Sequence, residues 1–325
     1  MRALVCNEYG PPESLRIEDW DDPVPGDKQV LVDVAAAGIN FPDVLSIAGK
    51  YQVKTPTPFV PGNEASGTVA AIGKDVSRFN IGDKVIVISQ GGAFAEKYVA
   101  DEHMTMPLPD GLGFEQGAGF AVTYGTSYHA LKQSADLQEG ETVLVLGAAG
   151  GVGITAVEIA KAMGARVIAA ASSDEKLEFA REAGADELVN YLEVPLKETV
   201  KELTGGKGVD VVCDPVGGEI ADQAFRATAW HGRYLVIGFA SGDIPTFSAN
   251  IALLKEASII GVWWGTWSAK NPAVHVQNFK ELGALIAAGK LTPRVTESYS
   301  LDDFLPAFLA ITERRARGKV ILRMS

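Results

Sequence analysis

Cysteine and histidine are scarce in this chain of 325 residues, which contains two cysteines and four histidines. Cys6 and Cys213 lie far apart, and no Cys-x-x-Cys pair exists. The sequence therefore excludes a cysteine-rich zinc lobe and a redox dithiol, both of which need closely spaced cysteines. A disulfide between the two cysteines stays open, although the low cysteine content suits a reducing cytoplasm.

Long hydrophobic runs and clusters of positive charge are also missing. The uncharged apolar stretches are short and broken by glycines, whereas a membrane-spanning helix needs about 20 apolar residues. The chain carries 29 Lys and Arg against 41 Asp and Glu, a formal net charge of −12. Such a surface repels nucleic acid and anionic membranes, so we expect neither as a partner. The N-terminus lacks the apolar core of a signal peptide, so we expect a cytoplasmic protein.

The length and the apolar content point to a folded protein of two domains. Hydrophobic residues make up 47% of the chain, and no low-complexity tract occurs. A chain of this length exceeds what one hydrophobic core usually serves. In the first hundred or so residues, short β-branched runs alternate with dense prolines and glycines. This pattern predicts a small barrel-like β domain, with strands near residues 30–34, 65–71 and 84–88.

From about residue 124 the pattern changes to strands that alternate with helices of about ten residues. Buried-strand patterns occur at residues 142–146, 166–171, 187–189, 209–213 and 234–238. Alternation of this kind predicts an α/β domain with a parallel sheet covered on both faces. The last part of the chain contains a predicted helix at residues 274–288 and a final strand at residues 319–323.

A glycine-rich turn joins the predicted strand 142–146 to the next helix. Glycines permit a tight turn and a close approach of the backbone to a pyrophosphate, and the helix N-terminus offers free N–H groups. A glycine run alone is often only a turn, but here the strand before it and the helix after it match a dinucleotide-binding unit. We therefore predict a dinucleotide site at Gly147, Ala149, Gly150, Gly151, Val152 and Gly153.

The residues after the next strand indicate which dinucleotide binds. About twenty residues past the glycines, an NAD site usually carries an acidic residue that binds the ribose. This sequence has Ser172 and Ser173 there, followed by Lys176, and these side chains suit the 2′-phosphate of NADPH. Asp174 and Glu175 weaken the positive potential, so NADPH is favoured and NADH stays open. The alternative is that Ser172 caps a helix and Lys176 is a solvated first-turn residue.

Several separated motifs together resemble one enzyme family. They are Gly38-Ile39-Asn40-Phe41-Pro42-Asp43, Gly49-Lys50-Tyr51, Pro61-Gly62-Asn63-Glu64-Ala65-Ser66-Gly67, Gly82-Asp83-Lys84-Val85, the glycine turn and Gly318-Lys319-Val320. Over nearly its whole length the chain resembles the zinc-independent medium-chain dehydrogenases/reductases, in particular the NADPH:quinone oxidoreductase family. The resemblance implies a Rossmann-type doubly wound domain (124–265) inserted in a GroES-like, mostly-β catalytic domain (1–123 and 266–325). It also implies a cleft between the domains for nicotinamide and substrate.

The departures from the zinc-dependent relatives constrain the chemistry. Those enzymes use a cysteine in the segment that matches Gly38-Ile39-Asn40, and a histidine before the glutamate of the segment 61–67. This sequence has Asn40 and Asn63 there, so we expect no zinc. Hydride delivery to an isolated ketone creates an alkoxide, which needs a Lewis acid or a strong proton donor. An acceptor that spreads the charge itself, a quinone or an activated alkene, is therefore favoured.

The resemblance also implies which residues line the nicotinamide end of the site. Asn40 and Asp43 would face the nicotinamide ribose and carboxamide, and Tyr51 would border the substrate. Asn-x-x-Asp is also an ordinary helix-capping pattern. The Tyr51 hydroxyl either acts on the substrate or satisfies a buried hydrogen bond. Thr126 resembles a threonine beneath the nicotinamide, with a helix cap as the alternative.

Further cofactor contacts follow from the same resemblance. Tyr191 would pack near the adenosine phosphate. Phe239 and Ser241 lie in a loop that leaves the carboxyl end of a predicted strand, where open α/β sheets bind ligands. Phe239 is alternatively a core residue. The turn at residues 214–218 ends another predicted strand and is expected to shape the same crevice.

An apolar segment near the end of the nucleotide domain suggests self-association. Residues 258–262 are the expected last strand, and an exposed apolar edge strand usually needs cover. Pairing across a two-fold axis is a common solution, and the resemblance implies a homodimer through the edge strand near Ile259–Trp263. The tryptophans at 263, 264 and 267 alternatively wall the substrate pocket.

Three functions remain open at this point. The leading interpretation is NADPH-dependent reduction of quinones by hydride transfer. An enoyl or enone reductase, acting on an α,β-unsaturated carbonyl or thioester, fits the same scaffold. A non-catalytic NADPH-binding structural protein is the third, although such a protein would tolerate the loss of Asn40, Asp43 and Tyr51, which are all present.

Overall fold

The computed structural model describes residues 1–324, which form two compact units. The first unit contains residues 1–122 and 292–324, and the second contains residues 123–291. Each unit has its own core of buried apolar side chains. The second unit continues past the boundary expected near residue 265, because the helix at 272–287 packs His275 and Phe279 against Trp264.

Short strands dominate the N-terminal part of the first unit. Its elements are β1 (Arg2–Val5), β2 (Arg16–Asp19), β3 (Gln29–Ile39), α1 (Phe41–Ile47), β4 (Glu64–Ile72), β5 (Lys84–Ile88), β6 (Lys97–Asp101), β7 (Thr105–Pro107) and α2 (Phe114–Ala118). The strand β3 is long enough to pair antiparallel with both β4 and β6. Buried and more exposed residues alternate along its first half, as expected for a sheet with one face on a core.

The second unit is a parallel sheet with helices. Its elements are α3 (Ala121–His129), whose first two residues still belong to the first unit, β8 (Thr142–Leu146), α4 (Gly151–Ala162), β9 (Arg166–Ala171), α5 (Asp174–Glu182), β10 (Glu187–Asn190), α6 (Leu196–Leu203), β11 (Val209–Asp214), α7 (Ile220–Arg226), β12 (Thr228–Val236), α8 (Ala249–Lys255), β13 (Ser258–Gly261), α9 (Trp264–Lys270) and α10 (Pro272–Ala287). Six parallel strands lie in the order β10-β9-β8-β11-β12-β13. This is the doubly wound order. Successive strands are added on one side of β8 as far as β10, and then on its other side from β11 to β13, so the switch point lies between β8 and β11. The predicted Rossmann-type sheet is confirmed.

The last residues of the chain return to the first unit. They form β14 (Val295–Ser300), α11 (Phe304–Thr312) and β15 (Lys319–Arg323). The strand β15 lies between β14 and β3 in the sheet order β14-β15-β3-β4-β5-β7, with β6 also paired to β3. Both ends of the chain therefore build one mostly-β unit, as the resemblance implied. The register places Val320 opposite Ile39, which brings Lys319 beside the start of α1.

Two simple expectations from composition have an outcome in the structure. Cys6 and Cys213 are both buried and free, so the disulfide that the sequence left open does not form. None of the helices in residues 1–324 is both long and apolar enough to cross a membrane.

Candidate active site

The helix α1 starts directly after β3 and carries the first predicted site residues. Asn40 is its N-cap and Asp43 its third residue. The Asp43 carboxylate accepts hydrogen bonds from the Asn40 backbone N–H at 2.7 Å and from Asn63 Nδ2 at 2.6 Å. Its side chain is only 1% exposed. Asn40 and Asp43 therefore do form the helix-capping pattern that the sequence left open as an alternative. This pattern fixes the Asp43 carboxylate and is compatible with a role in catalysis.

The Asn40 side chain is fixed by a buried ion pair. Its Oδ1 accepts a hydrogen bond from Lys319 Nζ at 2.6 Å, and its Nδ2 donates to Glu64 Oε1 at 2.9 Å. A longer bond of 3.3 Å joins Nδ2 to the Gly38 carbonyl oxygen. Both amide hydrogens are thus engaged, and the oxygen and nitrogen of the amide cannot exchange places. We call Asn40, Asp43, Glu64 and Lys319 the buried charge cluster.

Lys319 and Glu64 lie next to the predicted site residues, although the sequence motifs that contain them do not predict this contact. Their charged atoms lie 2.7 Å apart, and the two side chains are 6% and 0% exposed. Glu64 Oε2 accepts a further hydrogen bond from the Val122 backbone N–H at 2.8 Å. A lysine at the start of the apolar strand β15 could have indicated such a pair. A lysine that is buried with its strand needs a partner, because buried lysines are rare unless paired.

Asp43 is the titratable group of the cluster whose pKa is most clearly changed. Burial raises the pKa of Asp43 to about 7, and the nearby Glu64 carboxylate adds to the rise. The hydrogen bonds from Asn40 and Asn63 and the Lys319 ammonium act in the opposite direction. Asp43 therefore changes its charge near neutral pH, where a proton-transferring or charge-sensing group is most useful.

Tyr51 lies on the segment that follows α1. Its backbone N–H donates to the Leu45 carbonyl at 3.1 Å, and its side chain is half-buried. The turn before it contains Gly49 at φ 65°, a conformation that favours glycine. Within residues 1–324 the Tyr51 hydroxyl makes no hydrogen bond, so the alternative of a satisfied buried bond is wrong. The hydroxyl is available to a ligand.

The glycine turn follows β8, and α4 begins at Gly151. Gly147 has φ 57°, and a Cβ there would lie 2.7 Å from Val216 Cγ2. A Cβ at Gly153 would clash with the Gly147 carbonyl oxygen. The fold itself therefore requires glycine at both positions.

Gly150 is different, because the fold gives no reason for a glycine there. It is the N-cap of α4, with φ −74°, and apart from its chain neighbours a Cβ would meet no atom of residues 1–324 closer than 3.4 Å. Such a contact is ordinary packing, so alanine would fit. A glycine at this position admits a group from outside the chain to the backbone, at the end of a helix whose first N–H groups are free to bind an anion.

Asp214, at the end of β11, shapes the loop next to the glycine turn. Its carboxylate accepts hydrogen bonds from the backbone N–H groups of Val216 at 2.7 Å and Gly217 at 2.8 Å. The Tyr234 hydroxyl donates to the same carboxylate at 2.6 Å. The Val216 side chain packs against Gly147. Because the Asp214 carboxylate holds the Val216 backbone, it also helps to fix the glycine turn.

The loop after β12 packs on the Asp214 loop. The Ser241 backbone N–H donates to the Val216 carbonyl at 2.8 Å, and a Cβ on Gly217 would lie 3.0 Å from the Phe239 ring. Phe239 and Ser241 are both half-buried loop residues, since β12 ends at Val236. The structure thus brings them to the carboxyl ends of β8, β11 and β12, the switch point at which doubly wound sheets bind ligands.

The predicted adenosine residues meet at the carboxyl ends of β9 and β10. Ser173, and not Ser172, is the N-cap of α5, so the alternative that gave Ser172 this role is wrong. Lys176 Nζ donates to Ser172 Oγ at 3.3 Å. The Tyr191 backbone N–H donates to the Ala171 carbonyl at 3.2 Å, which places Tyr191 at the same corner. A hydroxyl and an ammonium therefore lie together at this corner of the sheet.

Thr126 and the tryptophans complete the comparison with the predicted site. Thr126 is half-buried in the interior of α3, so it is not a helix cap. Trp264 packs against α3 so closely that a Cβ on Gly125 would clash with its ring. Trp267 stacks on His129 with ring centroids 4.0 Å apart. These two tryptophans are packing residues of the second unit, whereas Trp263 is 53% exposed.

Comparisons with known proteins now identify the family. Residues 26–110 match the family model described as alcohol dehydrogenase GroES-like domain, and residues 151–284 match zinc-binding dehydrogenase. The chain is 41% identical to the quinone oxidoreductase-like protein 2 homolog of Nematostella vectensis, over 99% of this chain and 88% of that protein. It belongs to the quinone oxidoreductase family. Family membership makes this protein an oxidoreductase, and the human quinone oxidoreductase is 34% identical over 99% of this chain and 97% of its own.

Solved structures agree with this assignment. The Escherichia coli quinone oxidoreductase, in complex with NADPH, superposes with a TM-score of 0.92 at 28% identity and covers 99% of this chain and 100% of its own. The enoyl reductase CurK reaches a TM-score of 0.90 at 27% identity, over 100% of this chain and 98% of its own. Similar scaffolds therefore carry proteins named for two related reductions.

One of the two family models is described as a zinc-binding dehydrogenase, but the described residues of this oxidoreductase do not provide a set of zinc ligands. Among residues 1–324, no group of three or more His, Cys, Asp or Glu side chains is arranged to hold a metal ion. Asn40 is committed to the buried charge cluster. Asn63 donates to Asp43 and accepts from the Gly91 backbone N–H at 3.1 Å.

The pKa of Asp43 makes a prediction about stability. An aspartate in an unfolded chain has a pKa of about 3.9, so the folded protein binds this proton more tightly. The contribution of the protonated Asp43 to stability is complete below about pH 4 and is lost as the pH rises through about 7.

Asp43→Asn carries no titrating proton, so its free energy of unfolding should fall less than that of the wild type between pH 5 and pH 8. Urea unfolding of both proteins at each pH measures this difference. Equal pH dependence in the two proteins would show that Asp43 has an ordinary pKa.

Proposed function

We propose that this protein is an NADPH-dependent reductase that reduces quinones by hydride transfer. The observation that carries the proposal is Gly150, a glycine that the fold does not need, at the start of a twelve-residue helix and at the switch point of a doubly wound sheet. A pyrophosphate that approaches the backbone closely is the group that needs such a glycine. When bound, NADPH supplies the hydride from its nicotinamide ring.

Different residues around this turn would contact different parts of the dinucleotide. The glycine turn and the first N–H groups of α4 would bind the pyrophosphate. The hydroxyls of Ser172 and Ser173 and the Lys176 ammonium would bind the 2′-phosphate, next to Tyr191. Thr126, Phe239 and Ser241 are the proposed contacts on the nicotinamide side. A charge-assisted bond to the 2′-phosphate is worth about 1.5–3 kcal/mol, which favours NADPH over NADH by roughly one to two decades.

Asn40, Asp43 and Tyr51 are the proposed residues at the reacting end. The half-buried hydroxyl of Tyr51 is free to orient a carbonyl or to donate a proton, and Asp43 has a pKa that suits a charge change near neutrality. The positions that hold metal ligands in the zinc-dependent relatives hold hydrogen-bonded asparagines here, so the acceptor has to stabilise the incoming negative charge itself. A quinone does so as a hydroquinone anion, and an activated alkene does so as an enolate.

Enone or enoyl reduction is the second candidate, because the CurK enoyl reductase shares the scaffold over the whole chain. The same Tyr51 hydroxyl would then act on the carbonyl of the activated alkene. We propose the cytoplasm as the compartment for either reaction, since free buried cysteines suit a reducing environment.

Turnover with matched acceptors tests the proposed function. The purified protein should oxidise NADPH rapidly with a simple quinone, more slowly with a conjugated enone, and with NADH about one to two decades less efficiently. Tyr51→Phe should lower kcat/KM about 10- to 100-fold, because one hydrogen bond to a developing charge is lost. The loss of NADPH absorbance measures each rate.

An exposed tyrosine supplies the control for this experiment, since Tyr9→Phe changes a hydroxyl that bonds the Thr55 carbonyl and should leave kcat/KM unchanged. Turnover with the enone alone would move the assignment to alkene reduction. NADPH binding without turnover on either acceptor would contradict the proposed substrate class.

We also propose that two copies associate through β13. This strand is the last in the sheet order, and among the described residues 1–324 it pairs only with β12. Ile259 on it is 43% exposed, and the neighbouring Trp263 is 53% exposed. The helix α8, which precedes it, buries no residue and exposes Leu253 and Leu254 by 76% and 67%. A second β13 would satisfy the free edge, and the apolar side chains would cover one another.

A charge on this edge should prevent the association. Ile259→Lys places an ammonium where two apolar edges would meet, so a wild-type dimer should become a monomer. Light scattering coupled to gel filtration measures the mass of each. Leu192→Lys is the matched control, since Leu192 is 72% exposed elsewhere on the second unit. A monomeric wild type, or a variant that stays dimeric, would contradict the proposed interface.

A further inference from the structure

Lys319 is a lysine whose ammonium is held entirely inside the first unit. Its Nζ donates to the Ile39 carbonyl at 2.9 Å and to Asn40 Oδ1 at 2.6 Å, and it forms an ion pair with Glu64 Oε1 at 2.7 Å. The Lys319 side chain is only 6% exposed, so protein groups and not solvent surround its charge. Removing a lysine and a glutamate from water is unfavourable for each ion, and replacement of such a pair by apolar residues is often neutral for stability. Stability alone therefore does not explain why charged residues occupy this place.

The surrounding backbone is shaped to hold this ion pair in one position. A Cβ on Gly38 would lie 2.7 Å from Glu64 Oε1 and 3.0 Å from Lys319 Cε, and one on Gly119 would lie 2.5 Å from Lys319 Cγ. Two glycines thus leave room for the pair from neighbouring segments. The ion pair has little freedom to move, so the Asn40 amide that it binds has little freedom either.

The pair acts on Asp43 through two routes. The first is geometric, because Lys319 and Glu64 hold Asn40, and the backbone N–H of Asn40 donates to the Asp43 carboxylate. The second is electrostatic, because the ammonium favours the ionised Asp43 and the Glu64 carboxylate opposes it.

The remaining neighbours of Asp43 carry no charge that could replace either partner. Asn63 is a neutral amide. Burial raises the pKa of the Tyr98 phenol far above the physiological range, so Tyr98 stays neutral. With Lys319 and Glu64 already balanced, an ionised Asp43 is the one uncompensated charge of the buried charge cluster.

We propose that Lys319 and Glu64 are positioning residues of the candidate active site, which fix the amide of Asn40 and set, by their opposite charges, the charge that Asp43 carries during the reaction. The role of Asp43 in turnover rests on the function proposed above. The electrostatic control of Asp43 by the two charges does not depend on that function, so the two can be tested separately.

The titration of Asp43 in five full-length proteins, the wild type and four variants, tests this inference directly. Protein labelled with carbon-13 at the aspartate carboxyl carbons is titrated by NMR, and the Asp43 signal is assigned by its loss in Asp43→Asn. In the wild type the midpoint should lie at about pH 7. Lys319→Met should raise it and Glu64→Gln should lower it, each by roughly one pH unit or more, because one compensating or opposing charge is removed.

The double variant Glu64→Gln with Lys319→Met separates charge from folding. It removes both charges at once, so its midpoint should return towards that of the wild type. Lys319→Arg keeps the positive charge and should also stay near the wild type. If Lys319→Met alone does not fold, Glu64→Gln and the double variant still decide. Shifts in the same direction for both single variants, or no shift in Glu64→Gln, would overturn the inference.

The pH profile of kcat/KM with NADPH and a quinone tests the link to turnover. Its midpoint should move in the same directions as the Asp43 titration in the same variants. A profile that stays fixed while Asp43 shifts would overturn the positioning role in the reaction. A wild type without turnover would contradict the proposed function, and the NMR titration would still decide whether the pair controls Asp43.

Discussion

The first unit is organised around one costly requirement, the burial of Lys319. An ammonium in the interior of a protein is tolerated only with a close counter-charge and satisfied hydrogen bonds. Glu64, on β4, supplies the charge, the end of β3 supplies the Ile39 carbonyl, and the N-cap of α1 supplies the Asn40 amide. Because Lys319 opens β15, this requirement ties the last strand of the chain to strands from its first part. The same contacts fix the start of α1, which carries Asp43.

The second unit meets a different requirement, which is to bring several loops to one edge of a sheet. Parallel strands end on the same side, so the loops after β8, β11 and β12 converge. Asp214 fixes the loop after β11 through hydrogen bonds to Val216 and Gly217. Val216 in turn packs against Gly147, and Gly217 packs against Phe239. The fold uses two glycines of the turn for its own packing, whereas Gly150 has no such packing role and is the position that we propose for the pyrophosphate. Structure and function therefore place different demands on glycines three residues apart.

The parallel sheet could be predicted from the sequence because buried strands form continuous apolar runs. The runs at 142–146 and 166–171 match β8 and β9 at both ends. The strand β12 begins six residues before its predicted start, at Thr228 and not at Tyr234. Trp230 and His231 in its first half are exposed, and His231 has φ 57°, so the apolar pattern is broken there.

The parts of the candidate site whose residues lie close together in the sequence could be predicted. Contacts between segments that lie far apart in the sequence could not. The glycine turn and the pair Ser172 and Lys176 lie on short segments with a known order of strand, turn and helix. The contact of Lys319 with Glu64 joins segments from opposite ends of the chain, and no local pattern encodes it. Likewise, the periodicity of α10 shows that it is a helix, but not that it packs on Trp264 in the second unit.

The central claim is that the glycine turn binds a dinucleotide, and NADPH binding by Gly150→Ala tests it most directly. A methyl group at this position meets nothing in the chain closer than 3.4 Å, so the variant should melt like the wild type. It should nevertheless bind NADPH at least about tenfold more weakly, since the methyl group occupies the path of the pyrophosphate. Gly283→Ala, in open space on α10, is the matched control and should bind normally. A folded Gly150→Ala that binds NADPH as tightly as the wild type would contradict the account.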